Sequence, residues 1–72
     1  MPYSYHCLIE WPDGHTRSLS VTEARNAYIA ARRARSFFRA FNCVIRVHDP
    51  TGTRLLAQWK VDAAGVFTRL PL

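Results

Sequence analysis

Three histidines (His6, His15, His48), two cysteines (Cys7, Cys43) and five carboxylates (Glu10, Asp13, Glu23, Asp49, Asp62) are the side chains in this 72-residue sequence that could hold a metal or move a proton. Their spacing argues against both. His6 and Cys7 are neighbours in an alternating segment, where successive side chains point to opposite faces and cannot easily share an ion. Neither a C-x-x-C nor an H-x₃-H spacing is present. A Cys–His nucleophile pair lacks a third group to orient the imidazole. The two cysteines read instead as buried free thiols on the core face of nearby strands. Asp13, Asp49 and Asp62 each sit in turn sequences and Glu23 in a helix cap. That leaves Glu10 alone, whereas acid–base catalysis wants a partnered, environment-shifted pair. Gly14, Gly52 and Gly65 mark turns rather than a phosphate-binding loop. The expectation is a protein that is not an enzyme and holds neither metal nor cofactor.

The residues that do stand out are cationic. Ten basic side chains face five acidic ones, a net charge of +5, and nine of the ten are arginine. Such a surplus favours anionic partners. Arg25, Arg32 and Arg39 recur every seven residues, with Arg35 and Tyr28 beside them on one flank of a helical stretch and Arg33 on the other. No acidic residue follows Glu23 in that stretch. Like charges at helical spacing are mildly destabilising, by ~0.2–0.5 kcal/mol per pair, so an uncompensated run points to a partner. The alternative is that the arginine stems cover the sheet edge while their heads stay in water. Guanidinium suits phosphate and carboxylate alike, so the flank does not choose between nucleic acid and acidic protein.

These side chains need elements to position them. Residues 5–11 alternate with Tyr5, Cys7, Ile9 and Trp11 on one face, the pattern of a half-buried strand. Pro12, Asp13 and Gly14 form a turn, and residues 15–19 return as a short second strand. Ser20-Val21-Thr22-Glu23 has the form of a capping box, which predicts a helix from there to Phe41. Ala24, Ala27, Ala31, Ala34, Phe38 and Phe41 make its buried stripe, and Asn42 its left-handed terminal residue. Residues 43–48 alternate again. Asp49-Pro50-Thr51-Gly52 turns into a strand over 54–61, and Asp62-Ala63-Ala64-Gly65 turns into a last strand over 66–70. The order is β-β-α-β-β-β: an α+β fold, an antiparallel sheet of four to five strands with one long helix packed on one face. Residues 1–72 make a single compact domain.

If the Tyr5/Ile45/Trp59 face packs on the helix, the outer face carries His6, Leu8, Arg46, His48, Arg54, Leu56, Gln58, Lys60, Phe67 and Arg69. Basic residues interleaved with Leu8, Leu56 and Phe67 make an adhesive surface. The expected binding residues are therefore Arg25, Tyr28, Arg32, Arg35, Arg39, Arg46, Lys60, Phe67 and Arg69. No apolar run approaches the ~20 residues of a membrane span. Residues 1–11 lack a signal-peptide layout, so a cytoplasmic location is expected.

From Ser18 onward the layout resembles that of small anti-CRISPR proteins of phages and other mobile elements. The resemblance rests on Leu19-Ser20-x-x-Glu23-Ala24-Arg25 opening a helix, a strand begun by Cys43, the Asp49-x-x-Gly52 hairpin, and Leu56-Ala57-x-Trp59-Lys60. It implies a non-enzymatic inhibitor in a bacterial cytoplasm that binds a type I CRISPR surveillance complex (Cascade) and blocks target DNA. A +5 chain is no mimic of DNA, so its partner is an acidic protein surface or a nucleoprotein complex. Direct binding to a DNA or RNA backbone, with Arg46, Lys60 and Arg69 extending the helix footprint, is the alternative. A homodimer through the sheet edge or outer face is a third possibility.

Overall fold

The computed structural model describes residues 3–72. It shows five strands and one helix in the order β1 (Tyr3–Glu10), β2 (Thr16–Ala24), α1 (Ala27–Phe38), β3 (Cys43–His48), β4 (Leu55–Val61) and β5 (Phe67–Leu70). The strands form one antiparallel sheet, β2-β1-β3-β4-β5. The helix carries the chain from edge strand β2 over β1 to β3. No helix among the described residues is long and apolar enough to cross a membrane.

The core lies between α1 and one face of the sheet. Alternation delivers Cys7 and Ile9 from β1, Cys43, Ile45 and Val47 from β3, and Ala57, Trp59 and Val61 from β4 to that face, all buried. The helix meets them with Ala30, Ala31 and Ala34, which are fully buried. Methyl side chains keep the helix axis close to the sheet, and Tyr5, Trp11, Leu19, Ala27, Ile29, Phe38 and Phe67 seal the margins. Cys7 lies opposite Val47, four positions along β3 from Cys43. That separation is about 13 Å at strand spacing, beyond the reach of a disulfide, and both thiols are free. Burial pushes the Cys7 thiol up to about 11.

The helix begins later than its capping box predicts. Residues 20–24 continue β2, with Val21 opposite Tyr5 and Ala24 opposite Tyr3. The cap is Asn26, whose Oδ1 accepts the Ile29 N–H at 2.9 Å. An N-cap contributes only ~1 kcal/mol, whereas extending β2 pairs its backbone with β1 and buries Val21 and Ala24. Glu23 therefore caps no helix. It sits at φ 59° in a one-residue bulge against β1. Arg33 reaches back from α1 and donates to the carbonyls of Thr22 and Glu23, both at 3.1 Å. The helix also ends early. Arg39 is its left-handed cap, with the Ala40 N–H bonded to the Arg35 carbonyl at 3.0 Å. Asn42 is left-handed as well, but it lies beyond the helix and leads into β3.

The turns follow the sequence chemistry. Asp13 Oδ1 accepts the His15 N–H at 3.0 Å. Asp49 Oδ1 accepts from Thr51 and from the amides of Thr53 and Arg54. Asp62 Oδ1 accepts the amides of Ala64 and Val66 at 2.9 and 2.8 Å.

Two outcomes follow. Trp59 is 6 % exposed, so Trp59→Ala should cost about 3–5 kcal/mol, close to the whole stability of a domain this small. A thermal melt within a few degrees of the parent would place Trp59 outside the core. The Asp13 carboxyl is held below the ordinary aspartate value of 3.8 by hydrogen bonds from the His15 amide and ring. Desolvation opposes the same shift at Asp49, but its hydrogen bonds from Thr51, Arg54 and Thr53 together outweigh it. Both groups bind protons more weakly folded than unfolded. Their stabilisation is thus complete above about pH 4 and is lost as pH falls through the folded values. Melting temperature should drop on acidification below that point, and Asp49→Asn should drop less steeply.

Candidate functional site

The expected binding residues do not share one surface. In β5, Phe67 lies opposite Val61 and Arg69 opposite Trp59, so both face the helix side and not outward. Residues 62–66 form a five-residue connection, closed by the Asp62 N–H bonded to the Val66 carbonyl at 3.1 Å. Val66 thus belongs to the turn, which reverses the parity expected for β5. Arg46 and Lys60 are on the opposite face, in register with Leu8 and Val44. Arg46 is paired there with Glu10. These two residues therefore cannot extend the helix footprint.

What the fold does bring together is a cleft of about 490 Å³ between α1 and the β4–β5 turn. It is lined by Tyr28, Arg32, Arg35 and Ser36 on the helix and by Ala64, Gly65, Val66 and Phe67 opposite. Helical spacing puts Tyr28, Arg32, Arg35 and Ser36 on the flank beside the buried alanines. Tyr28 packs its ring 5.6 Å from both Trp59 and Phe67. The arginines are then seated on aromatic faces. The Arg32 guanidinium lies 5.8 Å from the Tyr28 ring centre, that of Arg35 lies 4.6 Å from Phe41, and that of Arg69 lies 5.1 Å from Trp59. Such contacts contribute ~0.5–1 kcal/mol each at exposed sites and restrict the guanidinium plane. Stacking uses the face of the fork and leaves its N–H edge for a ligand.

The electrostatics are one-sided. Among the described residues the ion pairs are His15–Asp13 and Arg46–Glu10. Arg32, Arg35 and Arg69 therefore have no carboxylate within pairing distance. Asp62, in the turn beside them, spends its carboxylate on two backbone amides. The site can hold a phosphate or a carboxylate by charge-assisted, forked hydrogen bonds.

Arg25 and Arg39 flank the cleft less directly. Arg25 is exposed in the bend before the Asn26 cap, outside the helical periodicity that was to align it, and Arg39 is the exposed left-handed cap. Glu10 neutralises Arg46 on the outer face rather than a helix arginine. One residue escaped the sequence reading: Phe37 is 68 % exposed, its ring edge-on to Phe38 at 4.9 Å. Its signal was an aromatic one position off the buried stripe. Among the described residues no group of three or more His, Cys, Asp or Glu side chains comes together as metal ligands. His6 and His48 are cross-strand partners with ring centres 6.4 Å apart, and His48 Nδ1 is buried without a hydrogen-bond partner.

Gly65 sets the shape of the cleft. It has φ +84°, and a Cβ there would stand 3.0 Å from Arg35 Nη1 and 3.2 Å from Phe41 Cε1. Gly14 has φ +93° with nothing within 4 Å of such a Cβ. Alanine at either position carries the left-handed cost of ~1–2 kcal/mol, but only Gly65→Ala also dislodges Arg35. Gly65→Ala should therefore elute from a phosphocellulose column at lower salt than Gly14→Ala at similar melting temperature. Equal elution would remove Arg35 from the anion site.

Compared with family models, curated proteins and solved structures, the chain shows no significant match.

Proposed function

We propose that this protein is a small basic binding module, without catalysis, that docks its helix-side arginine cleft on an anionic surface of a protein or nucleoprotein assembly. The concrete form of the reading is an inhibitor of the anti-CRISPR kind, occupying a type I surveillance complex so that target DNA is excluded. The observation that carries it is the set Arg32, Arg35 and Arg69: three guanidinium groups held on aromatic rings with no carboxylate of their own. Uncompensated charge at fixed geometry is weak as a stabiliser of the fold and effective as a means of recognition and steering.

Two features favour a protein-containing target over bare nucleic acid. The rings of Tyr28, Phe41 and Trp59 are engaged by guanidinium, so they do not serve as stacking platforms for bases. Phe37 stands exposed at the end of the same helix, and an aromatic beside arginines is the composition of protein–protein hot spots. The part of the anti-CRISPR likeness that placed a helix start at Leu19–Arg25 does not support the reading, because those residues are strand and bend. The support that remains is the compact sheet-plus-helix layout, the positive charge and the cleft.

The reading is tested by adding the protein to a purified type I surveillance complex and measuring target-DNA binding, with labelled DNA and RNA alone run in parallel across ~50–300 mM salt. The expected result is loss of target binding, with little affinity for free nucleic acid. Arg32→Glu with Arg35→Glu should weaken the effect at least tenfold. Arg17→Glu with Arg54→Glu, the same change in net charge away from the cleft, should not. Tight, salt-sensitive binding to free nucleic acid would transfer the cleft to phosphate backbones. Equal effects of the two double variants would reduce the interaction to net charge.

A further inference from the structure

Among the described residues no helix or strand covers the face of the sheet turned away from α1, where Gln58 donates to the Pro71 carbonyl, and its residues form rows across the strands. Glu10, Val44, Lys60 and Thr68 make one row, and Leu8, Arg46, Gln58 and Leu70 the next. His6 and His48 make a third, with Leu55 paired to His48 and Leu56 at the register irregularity next to it. Leu8, Val44, Leu56 and Leu70 are half-buried in this surface. Arg54, expected on this face, lies in the turn before β4, so the charges on the strands here are Glu10, Arg46 and Lys60, a net of +1 out of +5 for the chain. Glu10 and Arg46 already neutralise each other. The remaining surplus is on the helix side and in the turns. Anionic partners are therefore drawn to the cleft, while this nearly neutral, partly apolar face is where two positively charged copies can meet without strong repulsion.

We infer that the outer face is a homodimer interface, formed by sheet-on-sheet packing about a two-fold axis running along β3. Facing sheets pack about 10 Å apart with strands roughly aligned. A two-fold along the central strand lays β1 of one copy over β4 of the other. Glu10 and Lys60 stand in one row on either side of Val44, so this operation sets each Glu10 against the partner copy's Lys60, twice. By the same operation Leu8 falls opposite Gln58 of the other copy. Arg46 meets its mate near the axis, and each is neutralised by its own Glu10. The interface is isologous, as a closed dimer requires. Five strands ~4.8 Å apart and about six residues long give a footprint of roughly 500 Å² per copy, at the small end of specific interfaces. An interface this small is at the weak end of specific association, and a micromolar Kd is the expected result. The dimer's two arginine clefts lie on the outer sides, and the inference does not depend on what those clefts bind.

The test is sedimentation equilibrium of the full chain from about 5 to 500 μM, the range that brackets a micromolar association. The mass should rise from 8.3 kDa toward twice that value. Lys60→Glu alone and Glu10→Lys alone each bring like charges together and should weaken association at least tenfold. Mixed one to one, these two variants pair opposite charges at both contacts and should recover the dimer as a heterodimer. Both positions are on the surface, and circular dichroism checks that each variant is folded. A parent mass fixed at the monomer value throughout overturns the inference. So does a dimer that neither variant weakens, which would use another surface. Single variants that weaken association without recovery on mixing would overturn the two-fold along β3.

Discussion

The approach of α1 to the sheet through Ala30, Ala31 and Ala34 is the contact on which the rest of the structure depends. Methyl groups against Ile9, Ile45, Val47 and Trp59 place the helix axis near the strands and leave no room for a long side chain between them. Longer residues must leave by the flanks. On one flank Arg33 runs back to the carbonyls of the β2 bulge and fixes the edge strand. On the other, Tyr28, Arg32 and Arg35 emerge over β4, β5 and the turn between them. A bulkier stripe would raise the helix, open the Tyr28–Trp59–Phe67 cluster and unseat the arginines. The cationic cleft is thus a consequence of close packing as much as of arginine content.

A single short helix cannot cover both faces of a five-stranded sheet, and the division of charge follows that fact. Arg46 and Lys60 sit with Glu10 on the open face, while Arg32, Arg35 and Arg69 sit on aromatic rings at the helix side. The first group is nearly self-neutral and the second has no carboxylate. The two faces therefore favour different kinds of partner: one suits a surface like itself, and the other an anion. Only Gly65, with no Cβ and a left-handed backbone, lets the turn come so near Arg35 and Phe41.

Much of this was legible from residue order. The alternation of Tyr5, Cys7 and Ile9, of Cys43, Ile45 and Val47, and of Ala57, Trp59 and Val61 marked the core face, because a strand has a fixed period of two. Asp13, Asp49 and Asp62 marked turns through local hydrogen bonds that depend on nothing distant. The helix start was misread for a related reason. Ser20 and Glu23 have capping chemistry, but a cap of ~1 kcal/mol competes with strand pairing, which the local sequence does not contain. Arg33 was read as the second flank, but its partners, the Thr22 and Glu23 carbonyls, exist only once that bulge forms.

The sequence by itself determined the fold class, the faces of β1, β3 and β4, the turn positions and an excess of arginine concentrated around one helix. Those properties come from local periodicity, backbone preference and composition. The tertiary structure decided which arginines act together. The parity of β5 is set by a five-residue connection whose closing bond joins Asp62 and Val66. One residue more or less would send Phe67 and Arg69 to the other face. That single register brings Phe67 into the lining of the cleft and Arg69 onto Trp59 beside Tyr28, and separates Arg69 from Arg46 and Lys60. Register is a property of paired strands, so no reading of either strand alone contains it.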